Sequence, residues 1–328
     1  MKIQITLLLT LLSIIGYVQC QPQYLQFLWE SPYYDITFGA ISLADGSINA
    51  NFTVPNQEEE ILYGFLTTQA QDDRGTFLML TSNQNNEMSV TAFTPNNYTI
   101  SDLYQSGSTF LFDFTFQPIY WDTENEIAYI AGVRSSGIPA IALLTFGFGQ
   151  NANAEPIVLV QPNTKGSNIA PVGSYDPSTN SFYVYFSSQD KSQTMVKYSF
   201  ASQTVTNQTL QGTVNKFIGI TQLYAYNGQL FVCRSVYKHG AEILLVDFET
   251  GAMKPVYNNK TSKPSLKGSN SVQPFVFDPV TGTITILNVI GSKLHYDILD
   301  LTSFTVTTAV IPNNLPSETF IIAAYQPQ

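Results

Sequence analysis

The sequence predicts an all-β fold built from repeats of four antiparallel strands, and three observations carry that prediction. Apolar, aromatic and β-branched residues alternate in short runs, and no long stretch shows a 3.6-residue period. Asp, Asn, Gly and Pro punctuate the runs, supplying side chain to backbone hydrogen bonds or the backbone freedom that a tight turn needs. Two turn-and-strand phrases then recur at intervals of roughly 50 residues.

Residues 1–20 read as a signal peptide. Lys2 supplies the positive end, Ile5 to Ile15 the apolar stretch, and Val18-Gln19-Cys20 the residues before the cut. That stretch is too short for a hydrocarbon layer of roughly 30 Å, so no membrane span is expected. Residues 21–328 are expected to form a single, extracellular and monomeric domain. Of 14 Lys and Arg, all but Lys2 remain, so 13 bases face 24 acids and 13 − 24 = −11 is the net charge. Nucleic acid is a poor partner for such a chain. Cys233 is the one cysteine left beyond the signal, which precludes an intramolecular disulfide. Its place in the apolar run LFVC predicts a buried, inert thiol.

The first repeated phrase is centred on Asp73, Asp122, Asp176, Asn227 and Asp278, with gaps of 49, 54, 51 and 51 residues. SYDPSTNSFYVYFSS and VFDPVTGTITILN are its clearest copies: a strand end, a turn and a new strand. The second phrase is anchored at Ser42, Ala92, Thr145, Ser199, Asp247 and Asp300, with a short polar strand after each. Four short strands per period predict a six-bladed β-propeller of four-stranded antiparallel blades. Six copies of one phrase against five of the other place the chain start at a blade's second strand, YLQFLW. The lone last strand, TFIIAAY, is then expected to complete the first blade, joining N- and C-terminal strands in one sheet and removing exposed edges.

In such a ring, loops joining strands two to three and blade to blade share one end, here the top. Turns joining one to two and three to four share the bottom. The predicted bottom turns collect acids, among them Asp45, Asp72, Asp73, Asp122, Asp176, Asp247, Asp278 and Asp300. The predicted top loops hold Arg134, Lys165, Lys191, Lys216, Arg234, Lys238, Lys260, Lys263, Lys267 and Lys293. Turn aspartates serve structure and loop lysines serve solubility, yet the sorting also suits a top that receives an acidic or sugar-like partner. The segment RSVYKHG concentrates Arg234, Lys238 and His239 and, with Arg134, is the candidate ligand-binding surface. Asp113, in FLFDFTFQ, is the acid predicted on an innermost strand, where it would hold a cation or a ligand hydroxyl.

Four sequons, at Asn51, Asn97, Asn207 and Asn259, fall in third turns or outermost strands and are expected glycosylation sites. Catalytic signatures are scarce. No GxSxG, P-loop or dinucleotide-binding glycine motif is present. His239 and His295 with one cysteine fall short of a zinc site, and no metal or cofactor is expected.

One segment, Trp29-Glu-Ser-Pro-Tyr-Tyr-Asp35, resembles the E-S-P-x-W-D opening of gluconolactonase-type six-bladed propellers, with Tyr in place of the usual Trp. The resemblance spans seven residues and implies a divalent metal at the ring axis with Glu30 as a ligand. The family's further Asn and Asp ligand motifs have no counterpart in this sequence. The sequence thus leads to a secreted, N-glycosylated propeller that binds a protein, peptide or carbohydrate through its top loops. The alternatives are a metal-dependent propeller hydrolase or lactonase, and a structural matrix component.

Overall fold

The computed structural model describes residues 24–30, 36–54, 65–71, 77–82, 88–94, 97–100, 119–122, 125, 127–134, 140–147, 156–161, 171–188, 191–212, 218–236, 240–259, 275–290, 293–311 and 319–325. Its strands in chain order are β1 (Tyr24–Glu30), β2 (Ile36–Ser42), β3 (Ile48–Val54), β4 (Phe65–Gln71), β5 (Phe77–Ser82), β6 (Met88–Thr94) and β7 (Asn97–Ile100). Next come β8 (Tyr120–Asp122), β9 (Ile127–Arg134), β10 (Ala140–Gly147), β11 (Ile157–Val160), β12 (Val172–Asp176), β13 (Ser181–Ser187), β14 (Gln193–Ser199) and β15 (Thr204–Leu210). The remainder are β16 (Ile218–Tyr226), β17 (Gln229–Val236), β18 (Gly240–Val246), β19 (Met253–Asn259), β20 (Phe275–Asp278), β21 (Thr283–Ile290), β22 (Lys293–Asp300), β23 (Val306–Ile311) and β24 (Thr319–Tyr325).

These strands make four-stranded sheets in which every neighbouring pair is antiparallel, the arrangement of β-propeller blades. Strands β8 to β11, β12 to β15, β16 to β19 and β20 to β23 each form one sheet in sequence order. Strands β4 to β7 form another, and β24-β1-β2-β3 another. Where the connection is described, as from Asp176 to Ser181 or from Tyr226 to Gln229, consecutive strands pair through a short turn, which fixes register locally.

The core lies between neighbouring sheets. Ile141 and Leu143 of β10 pack on Phe182, Val184 and Phe186 of β13. Tyr183, Tyr185 and Met195 pack on Leu223, Leu230 and Val232 of the next sheet, and Phe231, Cys233 and Ile243 pack on Phe275, Ile284 and Ile286 of the one after. Strand alternation sends odd and even residues of β13 to opposite neighbours, so its burial runs almost unbroken. Cys233 is fully buried with a free thiol, and burial pushes its pKa well up, as its apolar run predicts.

Copies of both repeated phrases share one turn. Where strand three meets strand four, Gly46, Gly251 and Phe304 donate their N–H to the carbonyls of Ser42, Asp247 and Asp300, four residues back, at 2.8, 2.8 and 2.9 Å. Between strands one and two, Gly282 does the same to Asp278 at 3.0 Å. The closing residue is left-handed each time, with φ of 69°, 70°, 57° and 65° at Gly46, Gly251, Phe304 and Gly282. The β16–β17 turn is tighter: Asn227 and Gly228, at φ 50° and 77°, form the two-residue hairpin that Asn-Gly favours.

Candidate functional site

All described turns from strand one to two and from three to four lie at one end of their sheets, and their aspartates accept hydrogen bonds from the turns themselves. Asp176 Oδ1 accepts from the Ser178 N–H at 3.0 Å and its hydroxyl at 2.7 Å, while Oδ2 accepts from Thr179 Oγ1 at 2.9 Å. Asp278 repeats this with the Val280 N–H at 2.9 Å and Thr281 Oγ1 at 2.7 Å. Asp122 holds Asn125, Asp247 holds Glu249 and Thr250, Asp300 holds Thr302 and Ser303, and Asp45 holds Ser47. The Ser47 N–H bond lowers the Asp45 pKa, and the Thr250 hydroxyl lowers that of Asp247. Asp278 goes the other way, because burial outweighs its hydrogen bonds. Asp176, Asp247 and Asp278 each accept three such bonds, and Asp122 and Asp300 two; Asp72 and Asp73 lie outside the described residues.

At the other end the structure changes the expectation for Arg234. RSVYKHG is not a loop from its first residue: β17 runs through Arg234 to Val236, and β18 resumes at Gly240. Arg234 pairs in register with Thr221 and Glu242, and its side chain turns inward with 4% of the residue exposed. The guanidinium donates to Tyr185 Oη at 2.8 Å and to Gln193 Oε1, reaching across to the neighbouring sheet. Tyr185 also donates to Gln193 Oε1 at 2.9 Å, and the guanidinium sits 5.5 Å from the centre of the Tyr185 ring. Glu242 Oε1 stands 3.5 Å from Nη1, and Arg234 Nε has no hydrogen-bond partner. Burial raises the Tyr185 pKa, partly offset by the Arg234 charge. A buried charge needs such partners to remain in a core. Arg234 is therefore an inter-sheet clamp, and an accessible ligand contact is not what its geometry provides.

A second polar clamp joins the next two sheets. Asp297, on β22, accepts from Tyr257 Oη, from Asn259 Nδ2 at 3.2 Å and from Thr308 Oγ1 at 2.6 Å. Sequence reading missed both clamps. The signal available for Arg234 was the unbroken strand alternation from Leu230 to Val236; nothing local marked Tyr185 or Gln193 as its partners.

Two of the other expected site residues lie on described strands. Glu30 and Arg134 are the last residues of β1 and β9. Asp113, Lys238 and His239 lie outside the described residues. Among the sequons, Asn51, Asn97, Asn207 and Asn259 all fall on the last strand in their sheets' order, β3, β7, β15 and β19. Asn207 is exposed, whereas the Asn259 amide is engaged by Asp297. No group of three or more His, Cys, Asp or Glu side chains arranged to hold a metal occurs among the described residues, and no helix there is long and apolar enough to cross a membrane.

No protein-family model and no curated protein sequence matches the chain. Solved structures do. TolB from Acinetobacter baumannii aligns over 92% of this chain and 67% of its own, at 10% identity and TM-score 0.53. A TolB assigned to Agrobacterium tumefaciens aligns over 93% and 99%, at 12% identity and TM-score 0.50. Puromycin hydrolase aligns over 90% of this chain at 15% identity and TM-score 0.55, and this chain spans 46% of its length. At such identities the likeness is one of fold, the β-propeller, and it extends to proteins of different activities.

Proposed function

We propose that the chain is a secreted, N-glycosylated, six-bladed propeller that binds an anionic or sugar-like extracellular partner through its top-end loops. The observation that carries the reading is the asymmetry of the two ends. The described bottom aspartates accept hydrogen bonds from within their own turns. The sequence assigns most of the bases to loops at the opposite end; among the described ones, Lys191 occupies a tight turn at φ 68° and Lys293 opens β22. A closed ring is supported by antiparallel pairing of β24 with β1 from Trp29↔Thr319 to Tyr24↔Tyr325. It is supported again by the Tyr296 hydroxyl, which donates to the Leu43 carbonyl at 2.6 Å across 253 residues of sequence. Signal cleavage after Cys20 and glycans on outermost strands complete the reading, with Asn207 the best-placed acceptor.

The test uses the glycoprotein secreted from a eukaryotic host, with heparin resin as a sulfated polysaccharide probe. Replacing Lys191, Lys238 and Lys293 by Gln should lower the salt needed for elution, because exposed charges act over roughly 8–10 Å at physiological ionic strength. Replacing Asp247 and Glu249 by Asn and Gln at the bottom should bring elution no earlier. Co-elution of the lysine variant with the wild type overturns the top-face reading. Stoichiometric divalent metal in the purified protein would instead favour the hydrolase alternative through Glu30 and Asp113.

A further inference from the structure

Cys233 is a free, buried thiol, so no disulfide ties one described sheet to the next. Phenols offer another covalent route, and three described tyrosines stand together where two sheets meet. Tyr120 on β8 and Tyr129 on β9 are register partners, and Tyr175 comes from β12 of the next sheet.

The three rings meet in different ways. Tyr120 and Tyr175 have centres 4.6 Å apart and planes tilted by 47°, close to the separation and twist of two directly bonded phenyl rings. Tyr129 lies nearly parallel to Tyr175, at 11° and 5.3 Å, and its centre is 6.1 Å from that of Tyr120. A face-to-face pair cannot become a twisted biaryl unless one ring turns out of the stack. Phe200, edge-on to Tyr175 at 5.5 Å, restrains that turn. Tyr120 and Tyr175 are both only partly buried, and the Tyr175 hydroxyl donates to Oδ1 of the exposed Asn180 at 2.8 Å. This phenol therefore reaches the solvent edge of the cluster, where an electron and a proton can leave.

We infer that Tyr120 and Tyr175 form an oxidative cross-linking site, coupled to dityrosine by an extracellular haem peroxidase with hydrogen peroxide, which staples the β8–β11 sheet to the β12–β15 sheet. Each phenol gives one electron and one proton to the oxidant, and the two phenoxyl radicals join carbon to carbon beside their oxygens. The hydrogens on those carbons then move to the oxygens and restore both phenols. Hydrogen peroxide takes up the two electrons and two protons and leaves as two molecules of water. The proposed secretion enters only in where the chain meets a peroxidase.

The test treats the purified glycoprotein, kept dilute to disfavour coupling between molecules, with a haem peroxidase and hydrogen peroxide. Fragment mass spectrometry after proteolysis should recover Tyr120 joined to Tyr175, lighter by two hydrogen atoms than the separate residues. Tyr120→Phe and Tyr175→Phe should each abolish that linked pair, whereas Tyr129→Phe should leave it. The linked wild type should melt about 5 °C higher than the unlinked, because the bond also constrains the unfolded chain. No linked pair, a link that runs through Tyr129, or covalent dimers alone overturns the site. A linked protein that melts no higher overturns the staple. The identity of the linked residues in the wild type decides between these outcomes even if a variant fails to fold. Protein recovered from the cells instead of the medium would fail the secreted reading and still report the coupling, so the two failures are distinguishable.

Discussion

Gly282 and Gly228 are both left-handed glycines in strand-joining turns, yet their surroundings differ. A Cβ on Gly282 would drive into the Tyr226 ring, whereas one on Gly228 would meet Thr179 Cγ2 at 3.9 Å and Ser178 Oγ at 4.0 Å, ordinary contacts. Gly228→Ala should therefore carry the backbone cost alone, about 1 kcal/mol, and Gly282→Ala roughly 3 kcal/mol once the ring must move. Chemical denaturation of the two variants checks the difference, and equal losses would mean that Tyr226 yields freely. At this scale the sequence was legible wherever a residue acts on its own neighbours. Asp176 and Asp278 announce their turns because a carboxylate followed by Pro and a hydroxyl two or three residues on bonds locally. Arg234 was misread because its partners, Tyr185 and Gln193, are 49 and 41 residues away, and no local pattern records them.

Among elements, β8, β9 and β12 gather Tyr120, Tyr129 and Tyr175, with ring centres 4.6 Å apart for Tyr120–Tyr175 and 5.3 Å for Tyr129–Tyr175. Phe200, from the β14–β15 turn, meets Tyr129 and Tyr175 edge-on at 5.5 Å. Burial first, then the Asp122 charge and Tyr175, push the Tyr120 and Tyr129 pKa values up to about 12. The folded state thus holds these protons more tightly than the unfolded chain, whose tyrosines titrate near 10. Their contribution is complete below pH 10 and is lost as pH rises toward about 12. The melting temperature should fall over that window. Tyr120→Phe with Tyr129→Phe should flatten the fall; an equally steep fall in the variant would assign alkaline sensitivity to other groups. Strand identities could be read from apolar and β-branched runs set between turn signals, because an inner strand such as β13 buries both faces while a last strand such as β15 is mostly exposed. The loop length at RSVYKHG could not, since an arginine reads as solvent-facing unless its buried partners are known.

For the whole molecule, the repeat spacing led to four-stranded antiparallel blades because a fixed period of turns leaves the chain few other ways to bury its strands. The number of blades joined in the ring and the manner of closure depend on contacts between chain ends, and these have a direct test. Ending the chain before Glu318 removes β24 and leaves β1 with a bare edge. The truncated protein should melt about 10 °C lower or more and unfold less cooperatively. Unchanged cooperative unfolding would count against closure through that strand. The same pairing sets a schedule for biogenesis. At roughly 5–20 residues synthesised per second, β1 waits on the order of half a minute for β24 to follow it. Contacts so distant in sequence form slowly, because the long loop between them must close first. Tyr296 and Leu43 are under the same delay, being 253 residues apart. The earliest strands made are thus the last to be sealed, and during that interval they depend most on a chaperone to keep them from pairing with a neighbouring nascent chain.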